Sequence, residues 1–197
     1  MKLENVADIS LGYSFRKGIE KFRDGDRNLL LVQAGDLPAD ELSINEEADL
    51  AHVSLENMKE SSFLLPEDIL LSYRGSAQSR LKASVFQIHS HTPTLASSSL
   101  CVIRLNTEKL LPEYLTLYLN SSVGQKQLQS MATGATVRAV SLKELRDFDI
   151  PIPEKDKQRA VISLWKNIQS QNGILRRRIQ LQEKLIDDFI SLSTKLH

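Results

Sequence analysis

Residues 121–165 read SSVGQKQLQSMATGATVRAVSLKELRDFDIPIPEKDKQRAVISLW, and their order decides the architecture. A short helix-like stretch ends in the small, flexible Thr133-Gly134-Ala135-Thr136, and a strand-like hop follows. Ser141 with Glu144 three residues on is a capping-box spacing, which predicts a short helix through Arg146. After the run Phe148-Asp149-Ile150-Pro151-Ile152-Pro153 comes a charged opening, with Glu154 and Asp156 placed to suit the positive end of a helix dipole.

From there the chain reads as one long helix. Val161, Trp165, Ile168, Asn172, Leu175, Ile179, Gln182, Ile186 and Phe189 recur at alternating spacings of three and four, the signature of a coiled-coil seam with two polar members. A second stripe, Ile174, Leu181, Leu185 and Leu192, widens the apolar face beyond what a single seam needs. Some forty residues at 1.5 Å each would make a rod of about 60 Å. Gly173 interrupts the pattern at about 1 kcal/mol relative to alanine and marks a candidate bend. Two readings follow. Either the helix folds back as a hairpin near Asn172-Gly173, or it pairs with another chain, Asn172 and Gln182 then setting register across the seam. Arg176, Arg177 and Arg178 point outward, as a solvated face or a contact for a partner subunit.

Upstream, the pattern is that of a mixed domain. Leu3, Val6 and Ile9, followed by Gly12, suggest an opening strand or turn feeding a loop at 12–18; residues 28–32 are a short apolar run consistent with a buried strand, ending at Gln33-Ala34-Gly35-Asp36. Residues 36–62 are acidic and weakly periodic, a loop with a little extended structure. A turn at 64–68 precedes a strand at 69–73 that stops at Arg74-Gly75. Further strands are expected at 83–89 and 100–105, then a helix opening at Pro112 with Leu115, Leu119 and Val123 as its apolar stripe. The expected fold class is α+β: a mixed α/β domain over 1–153, then a long coiled-coil helix over 154–197.

Composition bounds the function. At 197 residues and 41% hydrophobic, the chain can bury a real core. Its apolar runs are too short to span a membrane, and its N-terminus has acids where a signal peptide needs an apolar core. The lone Cys101, between apolar neighbours, reads as a small buried hydrophobe and fits a reducing cytoplasm. Net charge is zero, but residues 35–70 hold ten acids against Lys59 alone, whereas residues 71–146 hold nine bases against three acids. The basic middle either faces phosphates or interleaves with acids on a solvated surface.

Catalytic machinery is not legible. The four histidines lack suitably spaced carboxylates, and Thr92-Pro93 makes a loop of the His89-x-His91 pair, so neither a metal nor a cofactor is expected. Ser97-Ser98-Ser99 lacks a nucleophile elbow, and Gly75 and Gly134 are solitary. What the chain does offer is polar loops at strand ends: 12–18, 33–36, 73–82 and 133–138. Arginine can take guanine O6 and N7 together, glutamine can pair with adenine, and hydroxyls and backbone N–H groups hold phosphates.

Several segments, taken in order, resemble the specificity subunits of type I restriction–modification systems. They are Gly12-x-x-Phe15, residues 66–75 (PEDILLSYRG), residues 96–104 (ASSSLCVIR), Pro112-Glu113-Tyr114-Leu115, Gly124-Gln125, Gly134-Ala135-Thr136-Val137, Leu142, Ile150-Pro151-Ile152-Pro153 and Gln158. The resemblance implies a non-catalytic target recognition domain followed by a spacer helix. It implies double-stranded DNA as ligand, and methyltransferase and restriction subunits as partners. On that reading Arg16, Tyr73, Arg74, Ser76, Gln78, Arg80, Lys82, Thr133, Gly134, Thr136 and Arg138 are candidate DNA contacts. One recognition domain and one helix, where the family has two of each, imply a half-size subunit. It would form a homodimer through the seam, with the two domains at opposite ends of an antiparallel helix pair, and read a bipartite palindrome. The rod would allow at most roughly 17 base pairs between domain centres at about 3.4 Å each. The competing reading is a regulatory protein that occupies a methyltransferase or a full-size specificity subunit through its helix without reading DNA.

Overall fold

The largest sheet of the N-terminal unit explains why its strands look continuously apolar. In the computed structural model, which describes residues 1–15, 28–38, 40–54, 62–76, 79–89, 92–134 and 137–194, five strands pair in the order β1-β9-β5-β7-β3. They are β1 (Ala7–Leu11), β3 (Ser43–Ile44), β5 (Ile69–Ser72), β7 (Ala83–Phe86) and β9 (Leu100–Leu105). All neighbours are antiparallel except β3 with β7. Alternate side chains leave a strand on opposite faces. Ile69 and Leu71 therefore join one core, with Ile9, Val85 and Ile103, while Leu70 joins a second, with Val32, Leu37, Ile44 and Phe86. Both faces are covered, so β5 has no polar face to show.

The first core is roofed by α1 (Pro112–Asn120), α2 (Ser122–Met131) and α3 (Leu142–Arg146), through Leu115, Leu119, Leu128 and Leu145. Phe148 and Ile150 complete it. The N-terminus clasps this run: the Leu3 N–H donates to Phe148 O at 2.9 Å and the Ile150 N–H to Met1 O at 2.8 Å. The second core is flanked by a three-stranded sheet of β4 (Ala51–Ser54), β2 (Asn28–Val32) and β8 (Thr94–Ala96). A third, two-stranded element pairs β6 (Arg74–Ser76) with β10 (Val137–Ala139).

Several expectations need correction. The strand at 69–73 ends one residue early, at Ser72, but Arg74-Gly75 is more than its stop: the chain enters β6, which pairs with a segment more than sixty residues away, a pairing no local pattern encodes. The strand at 83–89 is shorter, and Thr94–Ala96 is a strand the sequence did not flag. Val123 does not continue the α1 stripe. Ser121 ends α1 and caps α2, its hydroxyl accepting from the Gly124 N–H, and Val123 is exposed. The expected short helix at 142–146 is present with its reciprocal capping box.

Helix α4 runs from Lys155 to Thr194 without interruption, 40 residues or about 60 Å. It passes straight through Asn172-Gly173, so the hairpin alternative is wrong. One glycine costs about 1 kcal/mol, too little to break a helix of this length. The chain divides into two compact units, 1–159 and 160–197. The first turn of α4 belongs to the first unit because Gln158 is buried there. Its amide donates to Lys109 O at 2.8 Å and Pro153 O at 2.7 Å and accepts from the Leu111 N–H at 2.9 Å. In the second unit Val161, Ile168, Leu175, Ile179, Ile186 and Phe189 are exposed, as are Ile174, Leu181 and Leu185 of the second stripe. Trp165 and Asn172 are half-buried and Gln182 is exposed.

Candidate nucleic-acid interface

Strand register brings the polar segments to one edge of the main sheet. Leu11 pairs with Cys101, Cys101 with Leu71, and Leu71 with Ala83, in a single row across four strands. The segments beyond that row leave the sheet on the same side: Gly12-Tyr13, residues 97–99, residues 73–76 and residues 79–82. The serine turn is their hub. The Tyr13 N–H donates to Ala96 O at 2.7 Å, the Gly12 N–H to Leu100 O at 2.9 Å, and the Ser97 N–H to Val32 O at 2.8 Å. Ser99 Oγ accepts from the Ala34 N–H at 3.3 Å and sits 2.6 Å from Ser97 Oγ. Gly12 is required by this approach, since a Cβ there would lie 2.1 Å from Ser97 O.

Beside the hub stands the β6–β10 ribbon. Arg74 lies opposite Ala139 and Ser76 opposite Val137, while Thr133 pairs with Ala139 on the far side. Directly opposed residues in an antiparallel pair share a face. One face therefore carries Arg74, Ser76, Val137, Ala139 and Thr133. Gly75 and Arg138 lie on the other. Gly134, at φ +115°, has a backbone conformation that favours glycine, and a Cβ there would sit 2.2 Å from Val137 O.

The candidate residues fare differently. Arg74, Ser76 and Thr133 are exposed on the outward face, Arg74 with its guanidinium 4.8 Å over the Tyr73 ring and Ser76 with its hydroxyl 2.6 Å from that of Ser79. Arg80 and Lys82 are exposed at the neighbouring segment, donating to Asn120 O at 3.0 Å and Leu37 O at 3.4 Å. Two candidates turn inward. Tyr73 is 5% exposed and its hydroxyl donates to Ser98 O at 3.0 Å, so its ring supports Arg74 and ties the ribbon to the serine hub. Arg138 donates to Gln129 O at 3.0 Å and Ala132 O at 2.7 Å, occupying carbonyls that the end of α2 leaves unpaired. Arg16, Gln78 and Thr136 lie outside the described residues, as does His91.

Arg104 leaves the basic middle for a different reason. It donates to both oxygens of buried Asp68, at 2.7 and 2.6 Å, and to Phe63 O at 3.1 Å. The Asp68 hydrogen bond holds its pKa above even the usual guanidinium value, against the lowering effect of burial. It is a structural cation.

Sequence reading missed the residues that place this edge. Asn120 pairs with both peptide groups of Ala83, accepting from N at 2.9 Å and donating to O at 2.8 Å. Gln125 does the same to Leu81, at 3.0 and 2.7 Å. The two amides act as a substitute strand along residues 81–83. Gln125 was visible only as part of a Gly-Gln pair. Among the described residues, no group of three or more His, Cys, Asp or Glu could hold a metal ion, and no helix is long and apolar enough to cross a membrane.

A family match decides what this mixed domain and helix are. Residues 2–183 match the type I restriction modification DNA specificity domain. The chain belongs to that family. It is 23% identical over 142 residues to the StySPI specificity subunit of Salmonella potsdam, a match covering 72% of this chain and 30% of that protein. The fold is similar to that of an HsdS subunit from Thermoanaerobacter tengcongensis, with TM-score 0.62 and 21% identity, covering 90% of this chain and 38% of that one. A chain from a type I R-M system assembly aligns with TM-score 0.64 and 23% identity, covering 90% and 39%. This specificity-domain chain thus spans about a third of the length of the relatives it matches.

Proposed function

We propose that this chain is a non-catalytic, sequence-reading DNA-binding subunit of a type I restriction–modification system, acting in the cytoplasm. The observation that carries the reading is the gathering of Arg74, Ser76, Thr133, Arg80 and Lys82, from segments far apart in the chain, at one edge of a sheet in a domain of the DNA specificity family. Cations and hydroxyls there suit phosphates and base edges. On this reading 1–153 is the recognition domain and 154–197 the spacer helix.

The exposed seam of α4 supports self-association. A homodimer through Val161, Trp165, Ile168, Asn172, Leu175, Ile179, Gln182, Ile186 and Phe189 would supply a second recognition domain, and two-fold symmetry would make the target a bipartite palindrome. Ile174, Leu181, Leu185 and the three arginines 176–178 would then be open to the methyltransferase and restriction subunits.

The test is duplex binding across a salt series, with solution mass in parallel. DNA affinity should fall steeply with salt, and Arg74, Arg80 and Lys82 changed together to alanine should weaken binding to all sequences and flatten that slope. A dimer that becomes monomeric on removal of 160–197 supports the paired helix. Absence of DNA binding at any salt would overturn the reading and favour a protein that only occupies a methyltransferase.

A further inference from the structure

We infer that the outward face of the β6–β10 ribbon enters the major groove and that Val137 on it meets the methyl group of a thymine. The inference rests on the DNA-reading function proposed above. It begins from a residue the fold leaves unexplained: Val137 is 60% exposed on a two-stranded element outside both sheets and is part of no core. Isolated apolar residues are common on surfaces. This one lies directly across from Ser76, on the face that also carries Arg74 and Thr133.

The ribbon is also fastened from its other face and from its base. On its other face Arg138 is fastened to the carbonyls of Gln129 and Ala132. At its base the Val140 N–H donates to Tyr73 O at 3.0 Å, and the Tyr73 hydroxyl is bound to the serine hub. The major groove, about 12 Å wide, admits a two-stranded ribbon. The groove floor offers an arginine two acceptors on guanine, and it offers an aliphatic side chain one apolar group, the C5-methyl of thymine. Val137 has no hydrogen-bonding side-chain atom and is matched only by that methyl. Ser76 and Thr133 hydroxyls on the same face can bond to bases or phosphates.

The experiment uses the full chain. Duplexes bound from a random pool define the preferred sequence, and each thymine in it is then replaced singly by deoxyuridine, which removes only the methyl. The wild-type protein should lose about fourfold in affinity at one thymine of the recognised half-site, the effect of one buried methyl group. Val137→Ala should bind thymine and deoxyuridine alike at that position and keep the wild-type melting temperature, since the side chain packs in no core. If Val137→Ala retains the wild-type thymine-to-deoxyuridine ratios at every position, the ribbon assignment is wrong while the DNA-reading function stands. If the wild-type chain selects no sequence, the function falls and the inference falls with it.

Discussion

The side-chain amide of Gln125 stands opposite the backbone of Leu81 as another strand would, accepting from its N–H at 3.0 Å and donating to its carbonyl at 2.7 Å. A further bond, to Leu119 O at 2.8 Å, uses the second N–H of the amide nitrogen, and the residue is buried. The segment that presents Arg80 and Lys82 is thus held by α2, a helix more than forty residues away.

Removing that amide should be expensive. Gln125→Ala leaves two buried carbonyls and one buried N–H without partners, for an expected loss of about 3 kcal/mol. Gln125→Glu should be no better, because a carboxylate would face the carbonyls of Leu81 and Leu119. Urea denaturation checks this as a lower midpoint at unchanged slope. A loss below about 0.5 kcal/mol in both variants would show that water replaces the amide.

Arg74 and Arg138 should separate cleanly despite lying on adjacent ribbon strands. Arg74→Ala is expected to leave the melting temperature unchanged and to reduce DNA affinity by about 1–3 kcal/mol if it reads a base. Arg138→Ala should destabilise by roughly 1–3 kcal/mol through the freed carbonyls of Gln129 and Ala132, with a smaller effect on binding once folded. Paired melting and binding titrations decide it; the reverse pattern would invert the assignment of faces.

Glu67 sits at φ +73° in a turn closed by the Asp68 N–H donating to Leu65 O at 3.1 Å, with Pro66 before it. That is the third position of a type II turn, where glycine is favoured. Glu67→Gly should relieve left-handed strain of about 1–2 kcal/mol, part of which the looser unfolded chain takes back. The expected net gain is about 0.5–1 kcal/mol, seen as a rise of roughly 1–4 °C in melting temperature. A fall would mean that the Glu67 side chain contributes more than its backbone strain removes.

Cys101 should behave as a buried hydrophobe. Burial pushes its thiol up to about 12 from 9.0, with Arg146 pulling slightly the other way. The folded state keeps a proton that the unfolded chain sheds above pH 9, so this contribution is fully present below pH 9 and is lost as pH rises toward about 12. The loss approaches about 1.4 kcal/mol per pH unit within that window. Comparing wild type with Cys101→Ala isolates it: the alanine variant should lose less stability between pH 9 and 11. A thiol reagent at pH 8 should label Cys101 only on unfolding, and fast labelling of native protein would contradict the burial.

The parts of this molecule legible in its residues are those governed by relations within a turn or two of chain. The α4 stripe from Val161 to Phe189, the Ser141–Glu144 box, the turn at 65–68 and the run Ile69–Ser72 each follow from spacing, capping or local dihedral preference. The family resemblance was legible for a related reason, since it consists of such local signals in a set order. The candidate interface was legible only in part. Polar and small residues clustering in loops singled out Arg74, Ser76, Thr133, Arg80 and Lys82, which are exposed, but the same signal also picked Tyr73 and Arg138, which point inward.

What separated those two groups was pairing across long stretches of chain. Arg74 meets Ala139, Gln125 meets Leu81, Gln158 meets Leu111, and Ser98 meets Tyr73. A strand alternates its side chains with a period of two, so a one-residue change in the β6–β10 register would exchange Arg138 for Val137 on the outward face. By itself, the sequence determined the long helix, the capped short helix, the central strands β5 and β9 and the family these segments compose, while β6, β8 and the break between α1 and α2 were not legible in it. Only the tertiary structure decided which side chains face outward, because register is set by contacts between residues that sequence distance does not relate.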